Sequence, residues 1–177
     1  MPFWLIFILG AIVMVINSCA ADNKVTLNIT RDEFIDTYNE EVPDDLKLIT
    51  LETDFYVKVD QFNKYEGSDR FTFGCIVEKN NELSEINANY MYELEPDKKP
   101  SKEGLKKMEQ MFIASIDAAD DGWFTNEKDI LEKLGLYGKT PPAFKDYEKN
   151  NIHYYLRVTD VGYNLYIKSK KFDWNFK

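Results

Sequence analysis

Histidine and cysteine are scarce in this sequence. Its 177 residues include one histidine, His153, and two cysteines, Cys19 and Cys75. A zinc site built from several histidines is therefore excluded, and no cysteine pair is available to complete one. The sequence also contains no Gly-x-Ser-x-Gly turn and no glycine-rich phosphate loop. We expect His153, which falls in a predicted strand, to have a structural or surface role.

Positive charge is also limited. The chain has 22 Lys and Arg residues against 31 Asp and Glu, which gives a formal net charge of −9. Nucleic acid phosphates are bound by Lys and Arg, so this balance argues against a nucleic-acid partner. An acidic surface can steer a basic protein partner, although in many proteins it serves only solubility.

The longest apolar run lies at the start of the chain. Residues Phe3 to Ile16 read FWLIFILGAIVMVI. As a helix, the segment from Met1 to Ile16 would extend about 24 Å, less than the roughly 30 Å core of a bilayer. This length is typical of the apolar core of a signal peptide. An uncleaved membrane anchor is the alternative, because the segment before Cys19 has no charged side chain.

The apolar run ends in Ile16-Asn17-Ser18-Cys19. This tetrapeptide resembles the lipobox of bacterial lipoproteins. The resemblance implies that Cys19 receives diacylglycerol, that the chain is cleaved before it, and that the new amino terminus is acylated, for example with palmitate. It also implies an extracytoplasmic protein of the cell envelope. Ala20 follows the cysteine and permits sorting to the outer membrane where the host has two membranes.

These features divide the chain into a signal peptide over 1–18, a lipidated tether over 19–29 and one domain over 30–177. Since 177 minus 18 leaves 159 residues, the mature chain has the length of a single ordinary domain. With lipid on Cys19, a disulfide within the chain is excluded, and Cys75 is expected to be a buried thiol.

The hydrophobic periodicity predicts an α+β fold. An N-terminal helix over about 31–41 follows a capping-box pattern at Thr30 and Glu33. An antiparallel sheet of about four strands comes next, then two further helices capped by Ser101 and Thr125, and finally a C-terminal β-hairpin. The predicted strands of the sheet cover 46–51, 55–59, 71–77 and 86–94, and those of the hairpin cover 152–158 and 163–168.

Residues 117–128 resemble the calcium loop of an EF-hand. The positions that keep a suitable ligand are Asp117, Asp121 and Thr125. Position three of the loop is Ala119, which has no oxygen to donate, and position twelve is Lys128, where a bidentate Glu is needed. We therefore expect an acidic turn between two helices, with no bound metal and no other cofactor.

Eleven tyrosines and twelve phenylalanines provide core volume, and some of these residues could also line a binding surface. In a strand, Tyr90 and Tyr92 would share one face, whereas Tyr154 and Tyr155 would point to opposite faces. One interpretation is core packing with ordinary cross-strand pairs, and the other is a tyrosine-bearing face that recognises a protein or a glycan. The candidate binding residues are Tyr90, Tyr92, Trp123, Tyr154 and Tyr163.

Together these features favour a non-catalytic, lipid-anchored envelope protein that binds a protein partner through an acidic, tyrosine-bearing surface, and the acidity of that surface suits a basic partner. An envelope assembly factor and an inhibitor or immunity protein against a toxin both fit this description. The alternative is a carboxylate-dependent envelope hydrolase that acts on glycans, with Asp120 and Asp121 beside Trp123 as the first carboxyl pair to test.

Overall fold

A computed structural model describes residues 26–48, 69–78, 80–92, 99–120 and 126–169. The described part contains three α-helices on an antiparallel sheet, which confirms the α+β class. The helices are α1 (Arg31–Glu41), α2 (Lys102–Ala119) and α3 (Glu127–Lys133). The strands are β1 (Arg70–Val77), β2 (Leu83–Met91), β3 (Phe144–Lys149), β4 (Ile152–Thr159) and β5 (Gly162–Lys168). No helix among these residues is long and apolar enough to cross a membrane.

Helix α1 has the predicted bounds because its capping box forms. The Thr30 side chain accepts a hydrogen bond from the Glu33 backbone N–H at 3.3 Å, and the Glu33 carboxylate accepts one from the Thr30 backbone N–H at 3.0 Å. The Thr30 hydroxyl also donates to the Glu33 carboxylate at 2.6 Å, and this bond together with the one from the Thr30 N–H holds the pKa of Glu33 below its usual range. Phe34 and Tyr38 then lie on the buried face of the helix.

The five strands form one sheet in the order β1-β2-β5-β4-β3, and every neighbouring pair is antiparallel. The hairpin expected at the C-terminus is therefore not separate from the sheet. Its strands are β4 and β5, and β5 lies at the centre of the sheet, where it pairs with β2. Residues distant in sequence thus become neighbours, as Tyr90 and Tyr163 do.

Strand β3 is missing from the sequence prediction. Its sequence, FKDYEK, has no run of apolar residues, and most of its side chains are exposed. It forms because Asn150 and Asn151, with φ of 53° and 62°, make a two-residue turn of the kind that joins antiparallel strands. The Asn150-Asn151 pair directly before the strand predicted over 152–158 is the sequence signal that could have predicted β3.

The predicted strand over 46–51 does not begin at Leu46. Residues Asp44–Leu46 form a short 3-10 turn, in which the Leu46 N–H donates to the Pro43 carbonyl at 2.9 Å. Residues 49–51 of that predicted strand lie outside the described residues, and so does the whole strand predicted over 55–59. The strand predicted over 86–94 is β2, which begins three residues earlier, at Leu83.

Helix α2 packs against the central strands β2 and β5, and α3 packs against α2. Ser101 caps α2 as expected, and the predicted apolar face places Met108, Phe112 and Ile116 in the core. Helix α3 is capped by Asn126, whose side chain accepts from the Asp129 N–H, rather than by Thr125, which lies outside the described residues.

The packed domain begins before Thr30. Leu27 and Ile29, which were assigned to the tether, are 6% and 4% exposed. The Leu27 N–H donates to the Leu83 carbonyl at 2.7 Å, and the Leu83 N–H donates to the Ile29 carbonyl at 2.9 Å. The N-terminal segment is therefore fixed beside the first residue of β2, and the boundary expected at residue 30 moves back to at least Thr26.

Candidate functional site: a tyrosine cluster at one end of the sheet

Three of the five candidate aromatic residues meet at one end of the sheet. Tyr90 lies near the end of β2, Tyr163 is its partner on β5, and Tyr92 follows β2 directly. The Tyr92 N–H donates to the Val161 carbonyl at 3.0 Å, which keeps Tyr92 beside β5. We call Tyr90, Tyr92 and Tyr163 the tyrosine cluster.

The cluster and the N-terminal segment lie at opposite ends of β2. The N-terminal segment pairs with Leu83, at the first residue of the strand. The strand then runs eight steps to Met91, which is about 26 Å at roughly 3.3 Å per residue. We call the end with Leu83 the attachment end and the end with the tyrosine cluster the distal end.

The three rings of the cluster contact one another. The Tyr90 ring centroid is 6.0 Å from that of Tyr92 and 6.2 Å from that of Tyr163. On its other side, Tyr90 stacks on Phe71 of β1 at 5.1 Å. Such distances lie in the favourable range for aromatic pairs, so the rings support one another as well as filling space.

The Asp69 carboxylate fixes the Tyr90 hydroxyl group. The Tyr90 hydroxyl donates to Asp69 Oδ1 at 2.8 Å, and the Ser101 hydroxyl donates to Asp69 Oδ2 at 2.5 Å. Ser101 in turn accepts from the Gly104 N–H at 2.8 Å, as the cap of α2. The carboxylate thus joins β1, β2 and α2, and its negative charge lies at the positive end of the α2 dipole.

Because Gly104 has no side chain, the Tyr90 hydroxyl and the Asp69 carboxylate can lie close to the first turn of α2. A Cβ atom at residue 104 would lie 2.3 Å from the Tyr90 hydroxyl oxygen and 2.4 Å from Asp69 Oδ2. Only a residue without a side chain therefore fits under the Tyr90 hydroxyl in the first turn of α2.

The cluster divides into a buried support and a partly exposed surface. Tyr90 is completely buried, whereas Tyr92 and Tyr163 are half-buried. Burial, followed by the Asp69 hydrogen bond and charge, raises the pKa of Tyr90. Burial and then Tyr92 raise the pKa of Tyr163. Both phenols therefore stay neutral at physiological pH, and Tyr92 and Tyr163 are the members that a partner can reach.

The other two aromatic candidates do not join the cluster. Tyr154 on β4 is completely buried, and its hydroxyl has no hydrogen-bond partner within the described part of the chain. Burial and the nearby Asp120 charge raise the pKa of Tyr154. Tyr154 therefore packs in the core and cannot contact a partner directly, and Trp123 lies outside the described residues.

The segment that resembles an EF-hand loop is described only at its start. Asp117 lies in the last turn of α2, which continues through Ala119, the position without an oxygen ligand. Asp121 and Thr125 lie outside the described residues. Across the described ranges, no three His, Cys, Asp or Glu side chains are grouped closely enough to hold a metal ion.

Two carboxyl groups of the described residues, Glu33 and Asp44, have lowered pKa values. Hydrogen bonds with Thr30 lower the pKa of Glu33, and Lys47 lowers that of Asp44. A general acid needs the opposite displacement. Of the pair named for the hydrolase alternative, Asp120 is buried at the end of α2, near Asn150, and Asp121 lies outside the described residues.

His153 and Cys75 lie where the sequence suggested. His153 is on β4, with its Nδ1 atom 3.7 Å from the Glu148 carboxylate and its ring stacked on Tyr155. Cys75 lies buried in β1. Neither residue is a member of the tyrosine cluster.

The sequence did not reveal the part played by Asp69. Asp69 falls between the strands predicted over 55–59 and 71–77, and its contacts with Tyr90 and Ser101 span 21 and 32 residues. Nothing local marks such a contact, although the Ser101 capping pattern did place one of the three residues correctly.

Comparisons of this chain with protein-family models, with curated proteins and with solved structures found no match.

Proposed function

We propose that this protein is a non-catalytic lipoprotein of the cell envelope, anchored through Cys19, that binds a protein partner with its distal end. The observation that carries this proposal is the position of the tyrosine cluster. Two half-buried tyrosines, Tyr92 and Tyr163, lie at the end of the sheet opposite to the N-terminal segment.

The length of the connection supports this orientation. Seven residue steps separate Cys19 from Thr26, where the described part of the domain begins. At full extension they span about 25 Å at most. A lipid on Cys19 would keep the attachment end close to the membrane, and the cluster would lie about another 26 Å along β2.

The side chains at the distal end suit a protein interface. Tyrosine is enriched in the cores of such interfaces, because its ring buries apolar area and its hydroxyl still forms hydrogen bonds. Two exposed acidic residues lie in neighbouring parts of the chain: Asp160 is in the turn before Tyr163, and Glu103 is in the first turn of α2, next to Gly104 beneath the Tyr90 hydroxyl. With a net charge of −9, the protein would attract a basic partner and speed its encounter.

A site-specific photo-crosslinking experiment in cells tests this proposal. A photoreactive amino acid replaces Tyr92 in one variant and Tyr137 in the other. Tyr137 is an exposed tyrosine whose hydroxyl donates to Glu109 of α2. We expect one discrete protein adduct from position 92 and none of that mass from position 137. The absence of an adduct at 92, or the same adduct from both positions, would contradict the proposal.

A further inference from the structure

The free edge of the sheet at β3 is a second surface with its own chemistry. β3 is the last strand in the sheet order, and among the described residues it pairs only with β4. Its charged residues Lys145, Asp146 and Glu148 are exposed, and Tyr147 packs against the core. Because β3 buries few side chains, it contributes little to the core, and its principal feature is the row of backbone groups at the edge of the sheet.

The hydrogen-bond pattern determines which backbone groups face outward. The Val158 N–H donates to the Ala143 carbonyl at 3.0 Å, so Ala143 faces β4. Backbone groups of an antiparallel strand alternate in direction, and Lys145, Tyr147 and Lys149 therefore also face β4. The N–H and C=O groups of Asp146 and Glu148 point to the free edge, where no other described strand pairs with them.

The same alternation places the charges on β3. Asp146 pairs with Tyr155 and Glu148 with His153, which puts both carboxylates on the sheet face away from the helices. Glu148 is 3.7 Å from His153 Nδ1 and its side chain is still 59% exposed. Lys145 and Lys149 lie on the opposite face, so the residues with outward backbone groups carry negative charge.

This arrangement disfavours a second copy of the chain. In the antiparallel register that pairs Asp146 of one copy with Glu148 of the other, both of these cross-strand pairs would join like charges. Like charges directly opposite each other are destabilising, and both copies carry a net charge of −9. An added strand with basic residues at those positions would instead form two favourable cross-strand pairs.

We infer that the β3 edge binds an extended segment of a basic protein as a sixth strand, with Lys or Arg at two alternate positions opposite Asp146 and Glu148. Main-chain hydrogen bonds supply the affinity in this mode of binding, and the side-chain pairs supply the specificity. The inference depends neither on the lipid anchor nor on the tyrosine cluster.

A peptide titration of the full chain in detergent micelles tests this inference by nuclear magnetic resonance of the backbone amides. The probe is the peptide Thr-Thr-Lys-Thr-Lys-Thr-Thr. One matched peptide has Glu in place of both Lys residues, and another is N-methylated on the backbone groups that would pair with β3. We expect the Lys peptide to shift the amide signals of Asp146 and Glu148 and to slow their exchange with solvent. The Glu peptide and the methylated peptide should do neither.

Charge reversal distinguishes strand addition from general attraction to an acidic protein. The double variant Asp146→Lys/Glu148→Lys should bind the Lys peptide at least about fivefold more weakly, because two favourable cross-strand pairs are lost. It should also gain binding to the Glu peptide. The matched control Asp36→Lys/Glu40→Lys, a double reversal at exposed positions of α1, should leave binding unchanged. Equal binding of all three peptides, shifts confined to other residues, or no shift with millimolar Lys peptide would overturn the inference.

Discussion

At the attachment end of the sheet, main-chain hydrogen bonds hold the N-terminal segment beside β2, whereas at the distal end side chains hold the tyrosine cluster together. The N-terminal segment is held by backbone hydrogen bonds from Leu27 to Leu83 and from Leu83 to Ile29. The tyrosine cluster depends on the Asp69 carboxylate and on the fit of aromatic rings. The main-chain bonds of the N-terminal segment should therefore depend little on side-chain identity, whereas the tyrosine cluster should be sensitive to single substitutions.

The largest effect is expected from Gly162→Ala at the distal end. A Cβ atom there would lie 2.2 Å from the Tyr90 carbonyl oxygen, which is a backbone atom in a central pair of strands and cannot move alone. We expect a loss of about 3 kcal/mol in the free energy of unfolding, measured by urea denaturation.

Gly138→Ala is the matched control for this substitution. A Cβ atom at Gly138 would meet its nearest neighbour, the Gly135 carbonyl, at 3.3 Å. The expected cost is less than about 1 kcal/mol. Similar losses in the free energy of unfolding for the two variants would contradict the claim that the close backbone contact at Gly162 requires glycine.

A smaller effect is expected from Tyr90→Phe, which removes one donor from the Asp69 carboxylate and keeps the ring. The loss should be about 1–2 kcal/mol, because a hydrogen bond to a charged group in a partly buried setting disappears. Chemical denaturation of Tyr90→Phe, Asp69→Asn and the double variant gives the coupling between the two residues. Strictly additive losses would contradict the proposed support of the cluster by Asp69.

The smallest effect is expected at the attachment end, from Glu33→Gln. Hydrogen bonds with Thr30 hold the pKa of Glu33 below its usual value, so its contribution to stability is present at neutral pH. That contribution is lost as the pH falls from the ordinary glutamate range through the lowered value. Thermal unfolding between pH 7 and pH 3 should show a shallower acid decline for Glu33→Gln than for the unchanged protein. An identical decline would show that the capping box makes no pH-dependent contribution.

The helices were predictable because their signals are local. Thr30 and Glu33 fixed the start of α1, and Ser101 fixed the start of α2, through contacts that span three residues in the sequence. The α+β class followed from the same local periodicities.

The arrangement of the strands and the candidate site were less predictable. The period of a strand indicated that Tyr90 and Tyr92 would lie together, but their contact with Tyr163 depends on the pairing of β2 with β5. Asp69 joins them only after β1, β2 and α2 have packed. No pattern within a short window of sequence encodes contacts of this kind.

The orientation of the two ends relative to the membrane can be measured directly. Single labels at Asn80→Cys, in the turn at the attachment end, and at Asp160→Cys, at the distal end, occupy exposed positions, whereas Cys75 is buried. The lipidated protein is placed in vesicles that contain lipids with quenching headgroups. The proposed orientation predicts strong quenching of the label at position 80 and weak quenching at position 160, and Cys19→Ser should abolish both. Equal quenching at the two positions, stronger quenching at 160, or unchanged membrane binding by Cys19→Ser would contradict the proposed orientation.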